Sequence, residues 1–213
     1  MHADRLLAHS GHQELLRNIE TTIAQDESRY TLLYEPLIHQ FVEYVQVLND
    51  QAKKQTSMLL NTGLERAWYI TRDYIKDHGD DTDFVYLFAL FSAALLLDVG
   101  RVDFNRKIDI CTQKGVFLKE WLPVFGSSLI DEGSYYKVRE SISSNQMMHH
   151  LMTPIIGLSL LPEIGQLCLR ERPELFASWL AILSQDDRIQ DPFGTDLKFY
   201  NKKYINGKYR NLL

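Results

Sequence analysis

The chain has 213 residues, 45% of them hydrophobic and 11% aromatic, enough to bury a sizeable core and too apolar for a disordered segment. Its 23 basic and 28 acidic residues give a formal charge of −5. That balance argues against a dedicated DNA- or RNA-binding face, which needs clustered basic residues to displace counterions from phosphate. Cys111 and Cys168 lie far apart in apolar runs and read as buried free thiols of a reducing compartment. The start, Met1 to Arg5, has no basic stretch leading into an apolar one, so no secretory signal is expected. The longest apolar run, Phe84 to Leu97, falls short of the roughly 20 residues of a spanning helix.

Helical periodicity runs through most of the chain. Gln13 to Gln25 carries Leu15, Leu16, Ile19 and Ile23 on one side and reads as an amphipathic helix. Pro36 suits a first helical turn, and Leu37, Ile38, Phe41, Val45 and Leu48 then recur at three- and four-residue steps. Asn49 to Thr56 is polar and reads as a loop or frayed end. A third helix is expected from Met58 to Asp77, ended by His78-Gly79-Asp80-Asp81, which also offers a fresh cap. The acidic group Asp80, Asp81 and Asp83 reads as a solvated helix start rather than a metal site. Asp83 to Leu97 is apolar nearly all round, as a central helix is.

Ile108 to Cys111 and Val116 to Leu118 flank a Thr-Gln-Lys-Gly turn and suit a small hairpin, while Tyr135 to Ile142 is of undecided type. Met147 to Leu161, interrupted or begun near Pro154, then Pro162 to Arg170 and Pro173 to Leu183 read as helices. Met147, Met148 and Met152 are expected to fill core rather than to line an adaptable groove. Asp186-Asp187 and Asp191-Pro192-Phe193-Gly194 read as a polar linker. Tyrosines interleave with lysines from Lys198 to Arg210, and Asn206-Gly207 is a strong hairpin-turn signal, so a C-terminal β-hairpin is expected.

The predicted architecture is therefore mainly α: a helical domain over residues 1–185 with a small β-hairpin insertion, then a linker and hairpin or tail over 186–213. In that tail Tyr200, Tyr204 and Tyr209, with Lys202 and Lys203, are candidate protein-contact residues. The alternative is a strand pair folded back on the helical body.

No phosphate-cradling G-x-x-x-x-G-K-[ST], no G-x-S-x-G and no G-x-G-x-x-G occurs in the chain. The constellation with chemical meaning centres on Leu97-Asp98-Val99-Gly100-Arg101, which resembles the His-Asp-Ile-Gly-Lys element of an HD phosphohydrolase with leucine in the histidine slot. In such an enzyme a first His, the His-Asp pair and later His or Asp residues fix one or two metal ions that turn water into a nucleophile. Further segments line up in order. Tyr34-Glu35-Pro36-Leu37 precedes Phe41-Val42-Glu43-Tyr44-Val45-Gln46; Leu59-Leu60-Asn61-Thr62-Gly63-Leu64-Glu65-Arg66-Ala67 is similar to Leu-Leu-x-His-Ser-Leu-Glu-x-Ala; Met147-Met148-His149-His150 precedes Leu158-Ser159-Leu160-Leu161-Pro162.

Over roughly Leu32 to Leu183 the chain thus resembles the HD-like N-terminal domain of TraI-type relaxases of the MobH class. The resemblance implies an HD-like helical fold in which Thr62, Leu97, Asp98, His149 and His150 occupy the ligand positions. Only Asp98 survives among the first three, with His149 or His150 downstream. Threonine is a poor ligand and leucine has no lone pair, so no catalytic residue, metal or cofactor is expected. A fold stripped of ligands yet well packed suits a binding scaffold. Its small, acidic character is similar to the adaptor subunits of type IVB secretion coupling complexes. That likeness implies cytoplasmic location with recruitment to the inner membrane, and as partners the tail of a DotL-like coupling ATPase, IcmS- and IcmW-like chaperones and effector proteins. The alternatives are a metal-dependent HD-type phosphohydrolase and a DNA-processing accessory factor.

Overall fold

The computed structural model describes residues 4, 7–8, 10–23, 27–45, 53–79, 82–100, 106–122, 129–133, 135–140, 146–186, 188 and 191–210. In chain order the helices are α1 (Ser10–Ile23), α2 (Glu35–Val45), α3 (Lys53–His78) and α4 (Phe84–Leu96), followed by strands β1 (Arg106–Cys111), β2 (Phe117–Trp121) and β3 (Tyr135–Glu140). Helices α5 (Gln146–Leu160), α6 (Glu163–Arg170), α7 (Pro173–Leu183) and α8 (Pro192–Arg210) complete the fold. The mainly helical architecture with a small antiparallel sheet is as the sequence predicts.

Helix α4 is the axis of the molecule. Asp83 caps it by accepting from the Val85 N–H at 3.0 Å. Val85 and every residue from Leu87 to Leu96 are buried. Helices α3, α6, α7 and α8 all pack on it, which is why its sequence needs no polar face. Helix α3 ends where Gly79 adopts a positive φ of 81° and donates to Ile75 O at 2.8 Å, a conformation that glycine adopts without Cβ strain. Its start is a correction: residues 53–56, read as loop, are already helical, and 49–52 lie outside the described residues. Pro36, without an N–H, sits just past a π-helical turn (Tyr30–Tyr34) in which Glu35 N–H reaches back to Tyr30 O.

The sheet order is β2-β1-β3, all antiparallel. Gly115, at φ 78°, closes the β1–β2 hairpin with its N–H on Thr112 O at 2.8 Å. Asp109 in β1 accepts two hydrogen bonds from Arg139 in β3, at 2.5 and 2.6 Å. Those bonds hold the Asp109 carboxyl below the usual carboxylate range. Tyr135 to Glu140, undecided from sequence, is therefore a strand. Helix α5 runs through Pro154. It turns by 114° into α6, where the Gln166 amide donates to Leu158 O and Leu161 O at 3.0 and 3.1 Å and satisfies carbonyls that the helix end leaves open. Both cysteines are free. Among the described residues no single helix is long and apolar enough to cross a membrane.

The C-terminal hairpin expectation is overturned: Pro192–Arg210 is one helix. Asp191-Pro192, read as linker, is instead its start. Asp191 accepts from Gly194 N–H at 2.6 Å and Pro192 takes the first helical position, where its missing donor is harmless. Phe193, Leu197, Tyr200 and Tyr204 recur at four-, three- and four-residue steps and are all buried, a helical stripe that tertiary packing favours over the local Asn206-Gly207 turn signal. Tyr74 of α3, Tyr86 of α4 and Phe193 and Tyr200 of α8 form one aromatic cluster, with ring centroids 5.3–5.7 Å apart. The core is thus continuous across the 185/186 boundary drawn from composition.

Candidate functional site

Of the residues that the HD resemblance would make ligands, Leu97 and Asp98 lie just past the C-terminal end of α4, Thr62 on α3, and His149 and His150 on α5. Leu97-Asp98-Val99 forms the turn that follows the helix, with Val99 N–H on Leu96 O at 3.1 Å. Leu97 is half-buried and packs against the core. Thr62 is half-buried on α3 beside Gly63, where α2, α3 and α4 approach so closely that a Cβ would lie 2.7 Å from Phe41 Cζ and 3.3 Å from Leu95 O. His150 is half-buried on α5. His149 lies on the same helix, its side chain outside the described ones.

What meets Asp98 is a residue the sequence reading passed over. Arg66, one helical turn beyond Thr62 on α3, donates from Nη1 to Asp98 Oδ2 at 2.7 Å and from Nε to Ala94 O at 2.7 Å. The two side chains are only 7% and 15% exposed. Ala94 O is one of the last carbonyls of α4, so the guanidinium satisfies an orphan acceptor and places positive charge at the negative end of the helix dipole. It also neutralises the Asp98 carboxylate. The signal was present in sequence as a single arginine beside the buried Leu60, Leu64, Ala67, Ile70 stripe. Its partner, 32 residues away, was not. Among the described residues no group of three or more His, Cys, Asp or Glu is placed to hold a metal ion.

Two of the tail candidates, Tyr200 and Tyr204, are turned inward. Tyr200 and Tyr204 are 4% and 6% exposed, which corrects their reading as open anchors. The Tyr200 hydroxyl donates to Asp77 at 3.1 Å and the Tyr204 hydroxyl to Glu65 at 3.3 Å. Lys203 pairs with Asp73 at 2.9 Å and lies 3.7 Å from Asp77. Lys202 is exposed, and the Tyr209 side chain is outside the described ones. Burial alone would raise the Asp73 carboxyl, but hydrogen bonds from Lys203 and Arg72 outweigh it and hold the group below its ordinary value. Burial pushes the Tyr200 hydroxyl well up, and the neighbouring Asp77 adds to the shift.

Where α8 and α1 flank α3, they leave a groove of about 330 Å³. Its floor is Glu65, Trp68 and Tyr69; Gly11 and Glu14 stand on the α1 side and Gly207 and Lys208 on the α8 side. Trp68 is fixed by its indole N–H on Thr22 Oγ1 at 3.1 Å. No family model matches the chain, and no curated protein matches it.

Proposed function

We propose that the chain is a non-enzymatic, protein-binding adaptor on a degenerate HD-like frame, a soluble component of a type IV secretion coupling complex that helps recruit effector proteins. The observation that carries the non-enzymatic part is the Arg66–Asp98 pair. The Arg66 guanidinium already holds Asp98 Oδ2 and neutralises the carboxylate that would attract a metal ion, and displacing it would leave a buried charge unpaired at high cost. Leu97 offers no lone pair beside it. The secretion context rests on the resemblance of Leu32 to Leu183 to the relaxase domain and on the likeness to LvgA-type adaptors, whose partners would be a DotL-like ATPase tail and IcmS- and IcmW-like chaperones.

Two measurements test this reading. Affinity purification from the native cell is expected to recover a coupling ATPase and small chaperones in fixed proportion; recovery of the chain without them overturns the adaptor assignment. A phosphodiesterase assay with manganese is expected to show no turnover. Turnover that Asp98→Ala abolishes would return the chain to the phosphohydrolases.

A further inference from the structure

We infer that the groove between α1, α3 and α8 is a docking site for a lysine side chain of a partner peptide. The inference rests on the adaptor reading and names the chemistry of one contact. At about 330 Å³ the groove lies at the low end of the range of about 300–1,000 Å³ typical of ligand sites, the size of an anchoring side chain rather than of a nucleotide. Its walls join aromatic rings to carboxylates, the combination that recognises an organic cation. Trp68 and Tyr69 meet edge to face with centroids 6.0 Å apart, and Tyr69 lies 5.7 Å from Tyr204.

The protein already shows how these groups hold an ammonium. Lys208 Nζ sits 2.7 Å from Glu65 Oε2, 3.1 Å from the Tyr204 hydroxyl and 5.5 Å from the Tyr204 ring centroid. Its side chain is 43% exposed, so it is an exchangeable occupant rather than a core element. A second carboxylate, Glu14, faces the same groove from α1 and makes no ion pair among the described residues. Once Lys208 has neutralised Glu65, the groove therefore keeps one negative charge. Arg72 lies 4.9 and 4.0 Å from the Trp68 and Tyr69 centroids and is bonded to Asp73 at 2.7 Å. An incoming lysine would take Glu14, which lines the groove beside Trp68 and Tyr69, and compete with Lys208 for Glu65. The chain's net charge of −5 adds long-range attraction for a basic segment.

The two wall glycines allow a clean block. A Cβ at Gly11 meets nothing within 4 Å, and one at Gly207 meets only the Tyr69 hydroxyl at 3.8 Å, so larger residues enter the groove without disturbing the core. Trp68 is the half-buried tryptophan, whereas Trp121 and Trp179 are buried, so a quench of tryptophan emission reports on the groove. The full chain is titrated with a capped lysine-rich peptide, with its glutamate-substituted counterpart and with free spermidine. The lysine peptide is expected to bind saturably. Gly207→Leu is expected to weaken it about tenfold, Glu14→Gln about threefold, and Lys208→Met to tighten it about threefold. Circular dichroism checks the fold of each variant, and Glu14→Gln, at an exposed position, carries the test if Gly207→Leu does not fold.

Equal binding of the glutamate peptide, or unchanged affinity in both Gly207→Leu and Glu14→Gln, overturns the site. Spermidine binding as tightly as the peptide overturns its assignment to a peptide lysine. Failure here removes the groove alone, because the adaptor reading stands or falls separately on co-purification.

Discussion

Removing one member of the Arg66–Asp98 pair has a different consequence from removing both. Asp98→Ala leaves a guanidinium that is 7% exposed without its counter-charge, and the expected loss is about 3–5 kcal/mol. The double change Arg66→Met with Asp98→Leu replaces two buried charges with apolar volume and is expected to recover most of that loss. Urea unfolding of the two singles and the double measures the coupling directly. A second buried contact behaves similarly on a smaller scale. The indole N–H of Trp179, itself 0% exposed, donates to Ser92 Oγ at 2.9 Å. Ser92→Ala orphans that donor and is expected to cost about 1–3 kcal/mol by the same measurement. Neither pairing was legible in the sequence, since each joins residues on helices far apart in the chain. What was legible at Asp98 was that its neighbour Leu97 has no lone pair to offer, because residue type shows without coordinates.

Between elements, glycines mark where backbones meet and where they do not. At Gly63 an added Cβ would meet Phe41 Cζ at 2.7 Å and the Leu95 carbonyl at 3.3 Å, so Gly63→Val forces α3 away from α4. The expected cost is about 1–3 kcal/mol or more, read as a lower denaturation midpoint. Gly207→Ala has open space and relieves the entropic penalty of glycine in a helix, so it is expected to leave stability unchanged or to raise it by up to about 1 kcal/mol. Helix α4 was legible because a segment apolar on every side has few other places to go. Helix α8 was not, because Asp-Pro is both a turn signal and a helix start, and Asn206-Gly207 is locally a hairpin turn. The four-three-four spacing of Phe193, Leu197, Tyr200 and Tyr204 was present in the sequence. It outweighs the turn only when α3, α4 and α7 supply a surface to bury it.

For the molecule as a whole, pH stability follows from two sets of groups. Asp73 and Asp109 are held below the ordinary carboxylate value. Their contributions are therefore complete above about pH 4 and disappear as pH falls through their lowered pKa values. Tyrosines are shifted the other way. Burial, with Glu20 and Glu35 nearby, pushes Tyr30 up to about 12, and burial chiefly raises Tyr34, Tyr86 and Tyr200 further. Their stabilisation is complete below about pH 10 and is lost as pH rises toward the folded values. Thermal melts across pH are expected to fall at both ends, and the part of the tyrosinate absorbance that comes from these four tyrosines is expected to appear together with alkaline unfolding rather than before it. Deleting residues 192–213 would strip Phe193, Leu197 and Tyr200 from the common core. The product is expected to bind a hydrophobic dye and to lack a cooperative melt, where a detachable tail would leave the body intact. The sequence alone determined the helical class, the central helix and the lack of a ligand side chain at Leu97, because apolar period and residue type are local properties of the chain. The fate of Asp98, the helical state of the last segment and the inward turn of Tyr200 and Tyr204 were decided by tertiary structure. Each depends on a surface or a charge supplied by a residue distant in sequence, and the free energy of burial favours one local conformation only once that surface exists.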